Sequence, residues 1–185
     1  MNRDEVYALL CKYTQSESLI KHALAVEAAM RAYARKYGGD EELWAVTGLI
    51  HDFDYEQHPT LDEHPMAGVA ILEERGWPEE YIRAVVSHGW GICSDDEPKT
   101  NLEKTLYAVD ELTGLVTAVA IIRPSRSVSD LEAKSVIKKW KDKAFAAGVD
   151  RSIIEKGTAM LGVELRDLID DVIMGMRQVA DKIGL

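Results

Sequence analysis

All five histidines of the chain fall between positions 22 and 88, and several sit where apolar side chains are expected. His22 shares a helical stripe with Leu19, Ala23, Val26 and Met30. His51 follows Leu43, Val46, Thr47 and Ile50 on another stripe, with Asp52 next to it. His64 stands on the side of Ala67, Gly68 and Ile71, and His88 lies a turn beyond Ala84 and Val85. Asp110 is a carboxylate in mid-helix, among Leu106, Val109 and Thr113. One histidine on an apolar face is usually satisfied by a hydrogen bond. Four histidines and two aspartates, inward on successive helices, would leave many buried polar groups in need of compensation. One or two divalent cations satisfy them together, because neutral imidazole and carboxylate are the ligand types that suit Zn, Mn, Fe, Co or Ni. His58, in the loop YEQHPTLDE, reads as a solvated residue near the mouth of such a site.

The elements that must position these groups read as helices throughout. Apolar residues recur at i, i+3 and i+4 along the chain, and no alternating β-branched run appears. The pattern predicts helices over 2–13, 16–37, 40–52, 64–75, 78–88, 101–122, 130–147, 150–161 and 164–183. Ser16 is expected to cap the second and Gly38-Gly39 to stop it. Pro78 opens the fifth, at the first-turn position that proline tolerates. The fold class expected is all-α. Residues 1–122 would form the histidine-bearing helical domain, and 123–185 a C-terminal helical extension packed on it as one compact unit.

The bulk numbers exclude several functions. With 185 residues and 46% hydrophobic side chains the chain can bury a core. A net charge of −10 argues against a nucleic-acid polymer as partner. The apolar runs are too short to span a bilayer and MNRDEVYALL is unlike a signal peptide, so no membrane partner and a cytoplasmic location are expected. Two cysteines without a CxxC pair favour neither a disulfide framework nor a thiolate zinc site.

The order His22, His51-Asp52, His64, His88, Asp110 resembles the HD superfamily of metal-dependent phosphohydrolases, in the six-ligand form that holds two metals. The stretches SLIKHALAV, AVTGLIHDFD, HPMAGVAILEERG, AVVSHG and LEKTLYAVDEL resemble the family's local contexts, over roughly residues 16–122. The resemblance implies an HD-domain helical bundle. It implies that His22, His51, Asp52 and Asp110 hold a first metal and His64 and His88 a second, with Asp52 bridging. It implies one or two divalent cations among Fe, Mn, Co, Ni, Zn or Mg. Many relatives carry HDIGK where this chain reads HDFDY, so Tyr55 stands in place of a lysine and Asp54 adds a carboxylate.

A pair of metals would generate hydroxide from bound water near neutral pH and polarise a phosphoryl group, with His51 and Asp52 acting through that water. This agrees with the lack of a convincing Ser/His/Asp set. The activity implied is hydrolysis of a phosphoester or phosphoanhydride of a small metabolite, with a nucleotide expected. A diiron oxygenase of the HD type and a metal-binding sensory module are the alternatives. Arg123, Arg126 and Lys104 are the candidates to grip phosphate, in the first two cases from a segment where seven basic side chains face three acidic ones. Tyr55 and Trp90 are candidate pocket walls. The apolar faces of the last helices would cover the HD core or form a homodimer.

Overall fold

A computed structural model describes residues 2–185, which form ten helices and no strand among the described residues. Helix α1 spans Arg3–Tyr13, α2 Glu17–Tyr37, α3 Glu41–Ile50, α4 Met66–Glu74, α5 Glu79–His88 and α6 Asn101–Ile121. Four more follow: α7 Ala133–Trp140, α8 Arg151–Leu161, α9 Leu165–Arg177 and α10 Ala180–Ile183. None is long and apolar enough to cross a membrane.

The two longest helices, α2 and α6, form the axis of the bundle. Helix α2 packs against α3, α6 and α9, and α6 against α5 and α8, so the C-terminal helices lie directly on the histidine-bearing ones. Fully buried Leu10, Met30, Tyr33, Leu49, Phe53 and Leu106 fill the space between them. Burying side chains of this size stabilises by roughly 1.5–3 kcal/mol each. A bidentate ion pair from Arg3 to buried Glu27, at 2.6 and 2.7 Å, fixes α1 on α2.

Helix ends follow local chemistry in most places. Asp40 caps α3 by accepting from the amides of Glu42 and Leu43, and Thr100 caps α6 through the Glu103 amide. Gly38 stops α2 at φ 65°, a left-handed conformation that favours glycine. Ser16 does occupy the N-cap position of α2, but its hydroxyl meets Ser18 instead of a helix amide. The Glu56 carboxylate takes over, accepting from the amides of Gln15 and Ser16. Those two bonds and the one from Thr14 Oγ1 to the Phe53 carbonyl tie the turn after α3 to the end of α1.

Three of the expected helices differ most in their bounds. His64 lies in the turn before α4, because the residue preceding a proline is pushed out of the α region. Helix α7 is shorter at both ends than 130–147. After Trp140 the chain turns, and Arg151 gathers the carbonyls of Asp142, Phe145 and Val149. The last predicted helix is broken at Gln178–Val179, where the amides bond three residues back and the chain tightens.

Candidate metal centre

Five segments bring the six ionisable groups to one place. Helix α2 carries His22, and the turn directly after α3 carries His51 and Asp52. The turn before α4 gives His64, the last residue of α5 is His88, and the middle of α6 gives Asp110. They form two groups of potential ligands that share one residue: His22, His51, Asp52 and Asp110, and then Asp52, His64 and His88.

Asp52 divides its oxygens between the groups. Its Oδ2 lies 3.4 Å from His51 Nε2 and 4.0 Å from His22 Nε2, while Oδ1 lies 3.0 Å from His88 Nε2 and 3.4 Å from His64 Nε2. Asp110 Oδ1 completes the first group, 3.0 Å from His22 Nε2 and 3.4 Å from His51 Nε2.

Each histidine is held by its other nitrogen. His51 Nδ1 donates to the Gly48 carbonyl at 2.8 Å, and His88 Nδ1 to the Val85 carbonyl. His64 Nδ1 donates to Asp54 at 2.9 Å. The Thr113 hydroxyl donates to the Asp110 carbonyl and stands 3.4 Å from His22 Nδ1, placed to accept from it. With Nδ1 carrying the proton, each Nε2 presents a lone pair inward.

This arrangement calls for positive charge. His51 Nε2 and Asp52 Oδ1 are buried without a hydrogen-bond partner among the described residues. The Nε2 atoms of His64 and His88 face each other at 3.3 Å, where two protons would repel. Burial opposes the charged form of His51, yet Asp52 and Asp110 raise its pKa well above the usual histidine value. His88 is raised too, against burial, by Asp52. Burial would lift the two carboxylates, but His51, together with His88 beside Asp52 and His22 beside Asp110, outweighs it and holds both well below the usual aspartate range. Inward lone pairs, split carboxylate oxygens and orphaned buried atoms are the donor set of a divalent cation pair, so the residues present fit such a group.

Asp54 acts on this set through His64. It is fully buried, accepts from His64 Nδ1 through Oδ1 and from the Gly68 amide through Oδ2 at 2.9 Å. Gly68 permits the approach, since a Cβ there would lie 2.9 Å from the Asp54 carboxyl carbon. The carboxylate noted as a departure in HDFDY thus orients a potential ligand.

The cluster opens into a cavity of about 340 Å³. Tyr55, Leu61, Ile92 and Cys93 stand along it, with Glu111 from α6 and Ile153 from α8. The residues after α5 close one side: the Gly89 carbonyl accepts from the amides of Ile92, Cys93 and Ser94. Glu111 accepts from the Asp150 amide at 3.1 Å, and its pKa is pushed up to about 7 by burial and then by Asp110. Ile153 belongs to the apolar faces of the last helices that were expected to cover the core, whereas Glu111 was not singled out from the sequence. Glu111 directly follows Asp110, and that adjacency was the available signal.

The three phosphate candidates stand elsewhere. Arg123 donates to Asp130 at 2.7 Å and Arg126 is exposed at φ 48°, and neither lines the cavity. Helix α6 carries the chain about 17 Å from Asp110 by Ile121, which takes both arginines out of reach. Lys104 is also absent from the lining, being roughly 120° round α6 from Asp110. Lys134 and Lys139 pair with Glu132 and Asp142. Trp90 packs on Tyr107 beneath Lys156, outside the cavity. His58 sits 3.4 Å from Glu63 and takes no part in the cluster.

An all-helical bundle with histidines and aspartates gathered in this order defines a metal-binding helical domain. The chain belongs to the HD domain family, whose model matches residues 19–115. It is also similar to proteins named ribonuclease Y. That of Nitratidesulfovibrio vulgaris strain Hildenborough is 28% identical over 54% of this chain and 18% of its own length. That of Oleidesulfovibrio alaskensis is 24% identical over 84% and 28%, and that of Desulforudis audaxviator 27% identical over 93% and 33%. The chain therefore spans a third or less of the curated relatives it matches. No solved structure matches it.

Proposed function

We propose that the chain is a metal-dependent phosphohydrolase acting on a phosphoester or phosphoanhydride of a small metabolite, nucleotides included. His22, His51, Asp52 and Asp110 would hold one divalent cation, and His64 and His88 a second, with Asp52 contributing an oxygen to each. The observation that carries this reading is the division of the Asp52 oxygens between two sets of inward-facing imidazole nitrogens. Bound cations would supply a hydroxide near neutral pH and polarise the phosphoryl oxygens.

The protein's own part is positional. The backbone carbonyls of Gly48 and Val85, with Asp54 and Thr113, hold the imidazole planes and their tautomers. Ile50 and Phe53, flanking His51 and Asp52, and Leu106, a turn before Asp110, are fully buried and anchor those ligands in the core. The relatives' name raises an RNA substrate. A cavity lined by no lysine or arginine among the described residues and a net charge of −10 favour a small substrate over a polymer.

The test is a screen of purified protein, loaded in turn with Mn, Co, Ni, Fe and Zn. The panel holds phosphomonoesters, nucleotides and an oligoribonucleotide, with and without oxygen. Metal-dependent, oxygen-independent release of phosphate from small esters is expected, and His51→Ala should abolish it. Oxygen-dependent turnover would replace this reading with the diiron oxygenase. No turnover of any ester by fully loaded protein would leave the metal-binding module.

A further inference from the structure

We infer that the cavity takes a phosphomonoester bearing a single phosphate on an uncharged, largely apolar body, and rejects substrates with a second anionic group. The inference rests on the phosphohydrolase reading and narrows its substrate class.

Two features of the cavity carry it. Its rim is apolar yet open to water. Tyr55 is 40% exposed, Leu61 60% and Ile92 47%, and all three line the cavity with Leu19 and Ile153 further in. Tyr55 is fixed there edge-on to His64, with ring centres 5.4 Å apart. Large apolar side chains left exposed round a polar centre suit an apolar body projecting outward from a phosphoryl group at the ligand cluster.

The second feature is charge. Besides Asp52 and Asp110, Glu111 lines the cavity. One of its oxygens is held by the Asp150 amide, which fixes the carboxylate against the wall. Asp54 lies behind His64. Asp52, Asp110 and Asp54 would offset much of the charge of bound cations, and Glu111, whose carboxyl those cations would favour in the ionised form, adds to this, leaving little attraction for an anion beyond one phosphate. No lysine or arginine lines this cavity among the described residues. Lys21 is the nearby exception. It lines a separate cavity that shares His22 and Gly114, and it is paired with Glu17 at 2.6 Å.

The test is calorimetric binding of three non-hydrolysable phosphonates to the metal-loaded full chain: methylphosphonate, phenylphosphonate and 4-carboxyphenylphosphonate. Phenylphosphonate should bind about tenfold or more tighter than methylphosphonate, from burial of the ring on the rim. Adding the carboxylate should weaken binding by about tenfold or more, from repulsion in a cavity without cations. Glu111→Gln should narrow that second ratio. Leu61→Ser, an exposed position where folding is little affected, should narrow the first. Equal binding of the methyl and phenyl compounds, or binding of the carboxyl compound as tight as that of the phenyl one, would overturn the inference and leave the hydrolase reading standing. Binding of none of the three by loaded protein would remove both.

Discussion

Asp54 holds His64, a potential metal ligand, from outside the ligand cluster. Read along the chain, it stands in HDFDY as an extra acid where relatives often differ. In three dimensions it accepts from His64 Nδ1 and from the Gly68 amide with separate oxygens. Asparagine offers one acceptor and one donor in the same space. Asp54→Asn must therefore set its NH2 group against either Nδ1–H or the Gly68 amide. If His64 changes tautomer in response, Nε2 carries the proton and the inward lone pair is lost. Loss of such an outer carboxylate typically weakens metal binding by roughly 10–100-fold. A metal titration of Asp54→Asn should show that loss in one of two binding steps, and an unchanged isotherm would contradict it. The six potential ligands were legible because each broke an apolar pattern. Their supporting groups were not, since Gly48 and Val85 act through backbone carbonyls and Asp54 through a contact ten residues along the chain.

At the scale of elements, the contact between α6 and α8 links the C-terminal helices to the site. Gly157 on α8 lies against Ala108 on α6, where an added Cβ would come 2.5 Å from the Ala108 Cβ and 2.7 Å from its Cα. Backbone cannot yield as a flexible side chain does, so α8 must move. Gly157→Ala should lower stability by about 1–3 kcal/mol in urea unfolding, despite the better helix propensity of alanine. Because α8 carries Ile153 into the cavity, the same variant should weaken phenylphosphonate binding more than metal binding. Unchanged stability and affinity would show that the contact is slack. The long helices α2 and α6 were readable from periodicity, with the Gly38 stop of α2, whereas the bounds of α7 and the break after α9 were not. Arg151 reaching back to three carbonyls is a tertiary event that no local window contains. The same holds for the Glu56 cap on α2, supplied from forty residues away in the sequence.

Across the whole molecule, the helices converge on a centre whose buried lone pairs and carboxylates are poorly compensated by the protein alone. A cation that binds only the folded chain stabilises it by about 2.7 kcal/mol at a hundred times its dissociation constant. For a chain of this size, that corresponds to a rise in Tm of roughly 5–10 °C on loading chelator-stripped protein. An unchanged Tm would mean that the cluster compensates itself with protons. The most direct test is elemental analysis of purified wild-type protein beside Asp52→Ala. Two divalent ions per wild-type chain and nearly none in Asp52→Ala are predicted, because that side chain faces both ligand groups. Metal content that survives intact in Asp52→Ala would contradict the shared centre.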